Sequence, residues 1–306
     1  MTTPGSPAVR RRRLAVELRR LRGTRTGGHV SSALGWSPSK VSRFEQGRDS
    51  LPLDEVEKLL DFYDVSGSER DRLLSLARDA QGRGWWEDYA HALPEEYQTF
   101  VGLEAEAATE VHWQAELVPG LLQTEEYARR TFAGFQRVVP TLTPTIIDQR
   151  VTVRMVRQQQ LITRDPPLEY HVVIDESVLL RNIGGREVMY AQLLRLAEAA
   201  DLPNVKLQIL PLSSDVSMVF SSFVIFHFGP GPTGKTGALG DVVSVEGVKS
   251  ELYDEDEPVT HLYRLVFQAF AEAALLPSDS QNLIRQTAER IWKPAVALIV
   301  THVRKA

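Results

Sequence analysis

A short helix with both ends marked is predicted for Ser37-Pro38-Ser39-Lys40-Val41-Ser42-Arg43-Phe44-Glu45-Gln46-Gly47. Ser37 is a suitable N-cap, because its hydroxyl can accept a hydrogen bond from a backbone N–H of the first turn. Pro38 takes the first helical position, where its missing N–H costs nothing. Gly47 supplies a left-handed stop. The pattern therefore predicts a helix from Ser37 to Gln46.

The faces of this helix differ in polarity. Val41 and Phe44 lie three residues apart and point to one side. The remaining faces carry small polar and basic side chains, namely Ser39, Lys40, Ser42 and Arg43. A short helix with an apolar seam and such a polar face suits insertion into the major groove of DNA.

Basic charge is concentrated around this helix. From Arg10 to Arg48, eleven Lys and Arg residues stand against two acids, a net charge of +9. The whole chain of 306 residues has a net charge of −5, which leaves −14 for the rest. A basic head on an acidic body indicates a polyanionic partner for the head. A solvated, charged helix face is the alternative, and the adjacent capped helix favours nucleic acid.

The bulk composition restricts the classes of protein. The chain has no Cys, which excludes disulfides, thiolate metal sites and cysteine nucleophiles. No apolar run approaches membrane-spanning length. Residues 1–13 lack the apolar core of a secretion signal. These features predict a cytoplasmic protein that does not contact membranes.

The chain is predicted to divide at a linker over residues 81–84, Gln81-Gly82-Arg83-Gly84. A disordered tail is expected over residues 1–9. Five helices are expected over residues 10–80, the fifth opening with a capping box at Ser66 and Glu69. These five form an all-α helix-turn-helix bundle.

The remainder, residues 85–306, mixes strands with helices. This mixture predicts an α+β domain in which helices pack on a mixed sheet. The pair Trp85-Trp86 is expected to pack at the domain junction. A last helix is expected from Ser278 to Val303, with a second capping box at Ser278 and Gln281.

The first eighty residues resemble the lambda-repressor-like helix-turn-helix family, of the xenobiotic-response-element type. The resemblance rests on the helix above and on the preceding Val30-Ser31-Ser32-Ala33-Leu34-Gly35-Trp36. It implies that Ser31 lets two helices approach, that Gly35 makes the turn and that Leu34 contributes to the seam. Where the family has good helix formers, this chain has Gly27-Gly28. Each Gly costs about 0.5–1 kcal/mol inside a helix, so the first turn of that helix is expected to fray.

The chain as a whole resembles the actinobacterial WhiJ-like regulators, whose C-terminal domain has no known function. The motifs that carry this resemblance are Gly84-Trp85-Trp86, Leu103-Glu104-Ala105-Glu106-Ala107, Glu116-Leu117-Val118-Pro119-Gly120-Leu121-Leu122-Gln123-Thr124-Glu125-Glu126-Tyr127, Asp175-Glu176-Ser177 and Leu207-Gln208-Ile209-Leu210-Pro211. The resemblance implies a DNA-binding regulator with a sensing or partner-binding C-terminal domain. Some members of the group are antitoxin-like and pair with a small partner protein.

The candidate DNA-binding residues have different expected roles. Arg43 is the leading base reader, since Arg can bond guanine O6 and N7 together; its alternative is an ion pair with Glu45 or Asp49. Ser39 would contact a base or a phosphate close by. The remaining candidates are expected at or near the DNA backbone, and they are Ser37, Lys40, Ser42, Arg48, Arg12 and Arg13. For the run that contains Arg12 and Arg13, a disordered basic tail is the alternative.

A phosphate-loop pattern occurs at Gly229-Pro230-Gly231-Pro232-Thr233-Gly234-Lys235-Thr236. A nucleotide site would need a helix starting at Lys235, yet Gly237 and Gly240 follow at once. The two prolines also remove amides that would bind phosphate. We therefore expect a hairpin loop here. No histidine spacing typical of metal ligands and no catalytic set is evident, so no cofactor, metal or enzymatic activity is predicted.

These observations predict a sequence-specific transcription regulator that binds double-stranded DNA as a homodimer. The C-terminal domain would supply the dimer contact and sense a small-molecule effector or a small partner protein. One alternative is an antitoxin-like interaction module that neutralises a small partner protein. Another is a nucleotide-binding enzyme that uses Gly229–Thr236.

Overall fold

The computed structural model describes residues 7–45, 47, 51–82, 84–139, 141–216, 220–229, 240–247 and 251–294. Five helices come first along the chain: α1 Pro7–Arg22, α2 Gly27–Leu34, α3 Pro38–Glu45, α4 Leu53–Phe62 and α5 Gly67–Ala80. Their apolar sides meet in one core that includes Leu18, Val30, Leu59 and Leu73. The predicted all-α bundle is therefore confirmed, with α1 starting three residues before the expected Arg10.

The expected capping box at the start of α5 does not form. Ser66 makes no side-chain hydrogen bond to the helix, and Gly67 adopts a left-handed φ of 64°. Glu69 instead accepts a hydrogen bond from Arg20 of α1 at 2.6 Å. A cation from another helix has replaced the local backbone partner.

The rest of the described chain alternates helices and strands. Its elements are a 3₁₀ turn Trp85–Tyr89, α6 Glu95–Glu106, β1 Thr109–Gln114, a 3₁₀ turn Gly120–Leu122, α7 Glu125–Gln136, α8 Pro144–Thr163, β2 Glu169–Asp175, α9 Glu176–Leu180, α10 Arg186–Ala199, β3 Val205–Leu210, β4 Phe223–His227, β5 Val242–Glu246, β6 Glu251–Asp254, α11 Glu257–Ala273, α12 Pro277–Thr287 and a π turn Ala288–Trp292. Thr124 and Thr143 cap α7 and α8, and Asp175 caps α9.

The six strands form one mixed sheet in the order β3-β2-β1-β4-β5-β6. Strands β1, β2 and β3 are parallel, whereas β4 pairs antiparallel with β1 and begins an antiparallel half. His112 of the central strand β1 lies opposite Val172 of β2 and Val224 of β4. The predicted mixed sheet with helices is thus confirmed.

Both faces of the sheet are covered. One face packs on α6, α10 and α12 through residues such as Val172, Ile174 and Phe226. The other face packs on α11, where the Trp113 and Phe270 rings stack with centroids 4.2 Å apart. Trp86 joins a smaller cluster with Leu93 and Val153, and Trp85 packs against it. The aromatic pair that was expected at the domain junction therefore packs among the first elements of the C-terminal domain.

The end of the described chain differs from expectation. Helix α12 begins at Pro277, Ser278 caps nothing, and Gln281 instead donates to the carbonyl of Ala197 at 2.7 Å. The helix ends at Thr287 and leads into the π turn, and residues 295–306 lie outside the described chain. Strand β6 was not predicted, because its four residues Glu251–Asp254 carry no recognisable alternation.

A polar cluster is buried between α6, α8 and β1. Arg157 Nε donates to Glu104 Oε1 at 2.9 Å, and the second guanidinium edge bonds Glu104 Oε2 and the Tyr97 hydroxyl. Glu104 is 1% exposed and Arg157 3%. Burial raises the pKa of Glu104, and the adjacent guanidinium opposes that rise. Glu110 of β1 is also buried, and burial raises its pKa to about 7.

Candidate DNA-binding interface

Helix α2 and the turn after it are set by a side-chain cap, a left-handed glycine and one backbone hydrogen bond. Thr26 Oγ1 accepts a hydrogen bond from the His29 N–H at 3.2 Å and caps α2. Gly35 has a left-handed φ of 68° and ends the helix. The Trp36 N–H then returns to the Ser31 carbonyl at 2.9 Å. This local geometry turns the chain sharply into α3.

Helix α3 has the predicted start and stop. The Lys40 N–H donates to Ser37 Oγ at 3.2 Å, and Pro38 is the first helical residue. Gly47 has a φ of 68° and its N–H bonds the Phe44 carbonyl at 2.9 Å. A Cβ on Gly47 would also lie 2.9 Å from Arg12 Cα. Gly47 is therefore required both by its φ and by the close approach of α1.

The seam between the helices is closed as expected. Val41 and Phe44 are each 2% exposed, and Val30 of α2 is fully buried. The Trp36 ring meets the Phe44 ring edge-on at 5.9 Å. The buried Ser31 hydroxyl donates back to the Gly28 carbonyl at 2.9 Å, so this small residue brings no unpaired polar group into the seam. The apolar contact therefore fixes how α3 projects from the bundle.

Four of the candidate side chains lie on the outer surface of α3. Ser37, Ser39, Ser42 and Arg43 are exposed, and the hydroxyls of Ser37 and Ser39 are 3.1 Å apart. Ser39, Ser42 and Arg43 share the side that faces away from Val41 and Phe44, whereas Ser37 precedes the helix as its N-cap. A polar, partly basic surface of this kind can approach base edges and phosphates together.

Lys40 is already engaged within the bundle. Its ammonium bonds Glu55 of α4 and lies 4.6 Å from the centre of the Trp36 ring. Its contact with a phosphate would have to compete with those two partners. Arg48, the other basic candidate after α3, lies outside the described residues.

Arg12 and Arg13 lie at the junction between the helical bundle and the sheet domain. Arg12 pairs with Glu255, and its guanidinium lies 5.1 Å from the Tyr253 ring centre. The Arg13 guanidinium lies 5.9 Å from the Phe228 ring centre. The structure therefore gives both residues partners in the C-terminal domain, in place of the disordered tail that was one expectation.

The acid Glu106 lies at the same junction, and its side chain is 7% exposed. Arg10 of α1 pairs with Asp79 at 2.7 Å and lies 3.9 Å from the Glu106 carboxylate. Burial raises the pKa of Glu106 to about 7, against the pull of Arg13 and Arg10. The sequence analysis did not identify Asp79 and Glu106 as partners of the arginine run. Their negative charge was the one signal in the sequence that pointed to such pairs.

Part of the basic excess of the head is neutralised internally. Acids outside the counted segment pair with it: Asp79 with Arg10 at 2.7 Å, Glu69 with Arg20 at 2.6 Å, and Glu255 with Arg12. The count of +9 thus overstates the positive charge that the bundle presents to a polyanion. The position of α3, rather than total charge, becomes the stronger argument for DNA.

We expect Gly28→Ala to stabilise the bundle by about 0.5 kcal/mol, because Ala restricts the unfolded chain and fits a helix. A Cβ at Gly28 would meet only Thr26 Oγ1 at 3.8 Å, an ordinary contact. Urea unfolding would measure the change in the free energy of unfolding, and hydrogen exchange of α2 peptides would show whether α2 gains protection. Gly47→Ala is the matched control and should destabilise, given its left-handed φ and close contact. Lower stability of Gly28→Ala would contradict a helix that starts at Gly27.

Three other features considered from the sequence are the phosphate-loop pattern, a metal site and a membrane-spanning helix. Residues 230–239, most of the phosphate-loop pattern, lie outside the described chain. Among the residues with described positions, no three His, Asp or Glu side chains converge as a metal site. No helix in the described ranges has the length and apolarity needed to cross a membrane.

Comparison with known families agrees with this two-part organisation. Residues 13–73 match a family described as a helix-turn-helix domain. Residues 97–286 match a family described as a domain of unknown function, DUF5753. No curated protein and no solved structure matches the chain. The second match covers well over half of the sequence, so the chain belongs to the DUF5753 family and carries a helix-turn-helix domain ahead of that region.

Proposed function

We propose that the protein is a sequence-specific transcription regulator that places α3 in the major groove of DNA. The observation that carries the proposal is the capped α2–turn–α3 unit, whose seam is buried while Ser39, Ser42 and Arg43 are exposed on the outer side. The helix-turn-helix match over residues 13–73 supports it independently. The proposal treats the chain as a cytoplasmic binding protein rather than an enzyme.

Within this proposal the candidate residues in and around α3 make different contacts with DNA. Arg43 reads a guanine edge, with Ser39 beside it at a base or phosphate. Ser42 and the N-terminal Ser37 contact the backbone and fix the register of the helix. Lys40 and Arg48 add phosphate contacts. Arg12 and Arg13 are assigned to the domain junction, because each already faces an acid or an aromatic ring there.

Arg43→Ala is expected to weaken specific binding by about 5- to 150-fold, the equivalent of roughly 1–3 kcal/mol for one bidentate base contact. The wild-type protein would first select its own site from a random duplex pool. Fluorescence anisotropy at fixed salt would then compare the selected site with a scrambled duplex. Arg129→Ala, on the surface of α7, is the control and should bind like wild type. Equal affinity of wild type and Arg43→Ala for the selected site would refute this role of α3.

We further propose that a homodimer binds a two-fold operator, with half-sites about 34 Å apart. The resemblance to lambda-repressor-like and WhiJ-like regulators supports this arrangement. The C-terminal domain is proposed to hold the dimer contact and to sense an effector or a small partner protein. Analytical ultracentrifugation of the protein with the selected duplex should give two chains per duplex. One chain per duplex at saturation would contradict the dimer.

A further inference from the structure

A cavity of about 130 Å³ lies on the α6 side of the sheet, between α6, α7, α8 and strands β1, β4 and β5. Its floor is polar and includes His112, Gln114 and Ser244. Its walls are aromatic and include Tyr97, Phe100 and Phe132. The cavity belongs to the DUF5753 region and lies apart from α3.

The polar floor is unusual for its position in the sheet. Strand β1 is central, and its residues Glu110, His112 and Gln114 alternate toward the helices. All three are at most 8% exposed. A strand covered on both faces normally carries aliphatic residues there, since burying polar groups opposes folding. Polar residues at such positions are expected at functional or strained sites.

Arg154 contributes hydrogen-bond donors that the protein does not use. Its Nη1 donates to Gln123 Oε1 at 2.7 Å, and its guanidinium lies 4.6 Å from the centre of the Phe132 ring. Its Nε is buried and has no hydrogen-bond partner. No carboxylate within the described ranges forms an ion pair with Arg154. One turn further along α8, in contrast, Arg157 is fully engaged by Glu104 and Tyr97.

His112 offers a hydrogen bond without a charge. Its Nδ1 is 3.0 Å from the Tyr170 hydroxyl. Burial lowers the pKa of His112 to about 4, so the ring is neutral at physiological pH. Its other nitrogen, Nε2, has no partner among the residues whose positions are described. A ligand hydroxyl in the cavity could therefore bond to it.

We propose that this cavity binds a small aromatic carboxylate. The carboxylate accepts hydrogen bonds from Arg154, the ring lies between the aromatic walls, and a ring hydroxyl reaches His112 or Gln114. The volume agrees with one ring, because a cavity of about 150 Å³ is known to hold benzene. Glu246 lines the mouth but is exposed and solvated, so Arg154 sets the charge of the interior. This site needs no DNA and does not rest on the proposed function.

Isothermal titration calorimetry on the full-length protein tests the charge requirement. Benzoate and 4-hydroxybenzoate are the probes, and benzamide is the neutral control of the same shape. We expect benzoate to bind at least about tenfold more tightly than benzamide, and the added hydroxyl to strengthen binding further. Absence of heat from both acids at up to about 10 mM would overturn the proposal. Equal binding of benzoate and benzamide would overturn the role of the guanidinium.

Two variants locate the binding site. Arg154→Gln should weaken benzoate binding by about 10- to 100-fold, because a charge-assisted hydrogen bond is lost. Arg129→Gln on α7 is the control and should leave binding unchanged. Phe135→Ala removes a cavity wall that is 50% exposed, so it should fold normally and still weaken binding several-fold. If Arg154→Gln fails to fold, Phe135→Ala alone tests whether the ligand binds in this cavity. Unchanged affinity in Phe135→Ala and in folded Arg154→Gln would place the ligand elsewhere.

Discussion

Replacing Arg157 with Met is expected to destabilise the C-terminal domain by about 3–5 kcal/mol. Arg157 supplies the buried cation for Glu104, which is 1% exposed, and it lies near the buried Glu110. Without it, both carboxyl groups remain in a site of low dielectric with no compensating charge. For a domain of this size the loss corresponds to a fall in Tm of roughly 6–20 °C.

The pH dependence of this variant follows from the carboxyl groups. Burial raises the pKa of Glu104 and Glu110 above the values in the unfolded chain. Removing the cation raises both further, so folding then requires bound protons. The variant should therefore lose stability as the pH rises above about 4.5. Lowering the pH from neutral to between about 4 and 5 should restore part of that stability. Thermal unfolding across pH would show this slope.

Two further variants distinguish a lost charge partner from lost packing. The double variant Glu104→Leu with Arg157→Met removes the charges of both partners and should regain the part of the stability lost through Glu104, while Glu110 stays without a cation. Arg129→Met breaks a surface pair with Asp148 and should cost less than about 1 kcal/mol. A double variant as unstable as Arg157→Met alone would show that packing, not the buried charge, dominates.

Phe44→Ala is expected to cost about 3–5 kcal/mol in the helix-turn-helix bundle. Phe44 is 2% exposed and packs edge-on against Trp36, so its removal leaves a cavity beneath α3. The projection of α3 depends on this seam. Specific DNA binding should fall together with stability, even though Phe44 itself contacts no DNA in the proposed complex.

Hydrogen–deuterium exchange separates this effect from global unfolding. Peptides from α2 to α4 should lose protection in Phe44→Ala, while peptides from the sheet should keep it. Phe135→Ala is the matched control, because the same truncation at a half-exposed ring should cost less than about 1 kcal/mol. Loss of protection in the sheet as well would mean that the two domains unfold as one unit.

Sequence reasoning was accurate where a few neighbouring residues decide the outcome. Ser37, Pro38 and Gly47 bound α3 as predicted. The capping boxes at Ser66 and Ser278 failed, although both matched the same kind of local pattern. In each case the acid or amide found a distant partner, Arg20 for Glu69 and Ala197 for Gln281. A local motif states which bonds can form, and competition from the rest of the fold decides which do.

The arginine run shows the same limit for charge. Its composition indicated a polyanion, and the structure gives Arg12 the acid Glu255, more than two hundred residues away in the chain. Local patterns in the sequence determined the helix-turn-helix unit, the polar surface of α3 and the α+β class of the remainder. Only the tertiary structure decided which arginines pair with distant acids and where Arg154 and His112 line one cavity. Caps and seams join residues within one or two turns, whereas ion pairs and cavities join residues that only folding brings together.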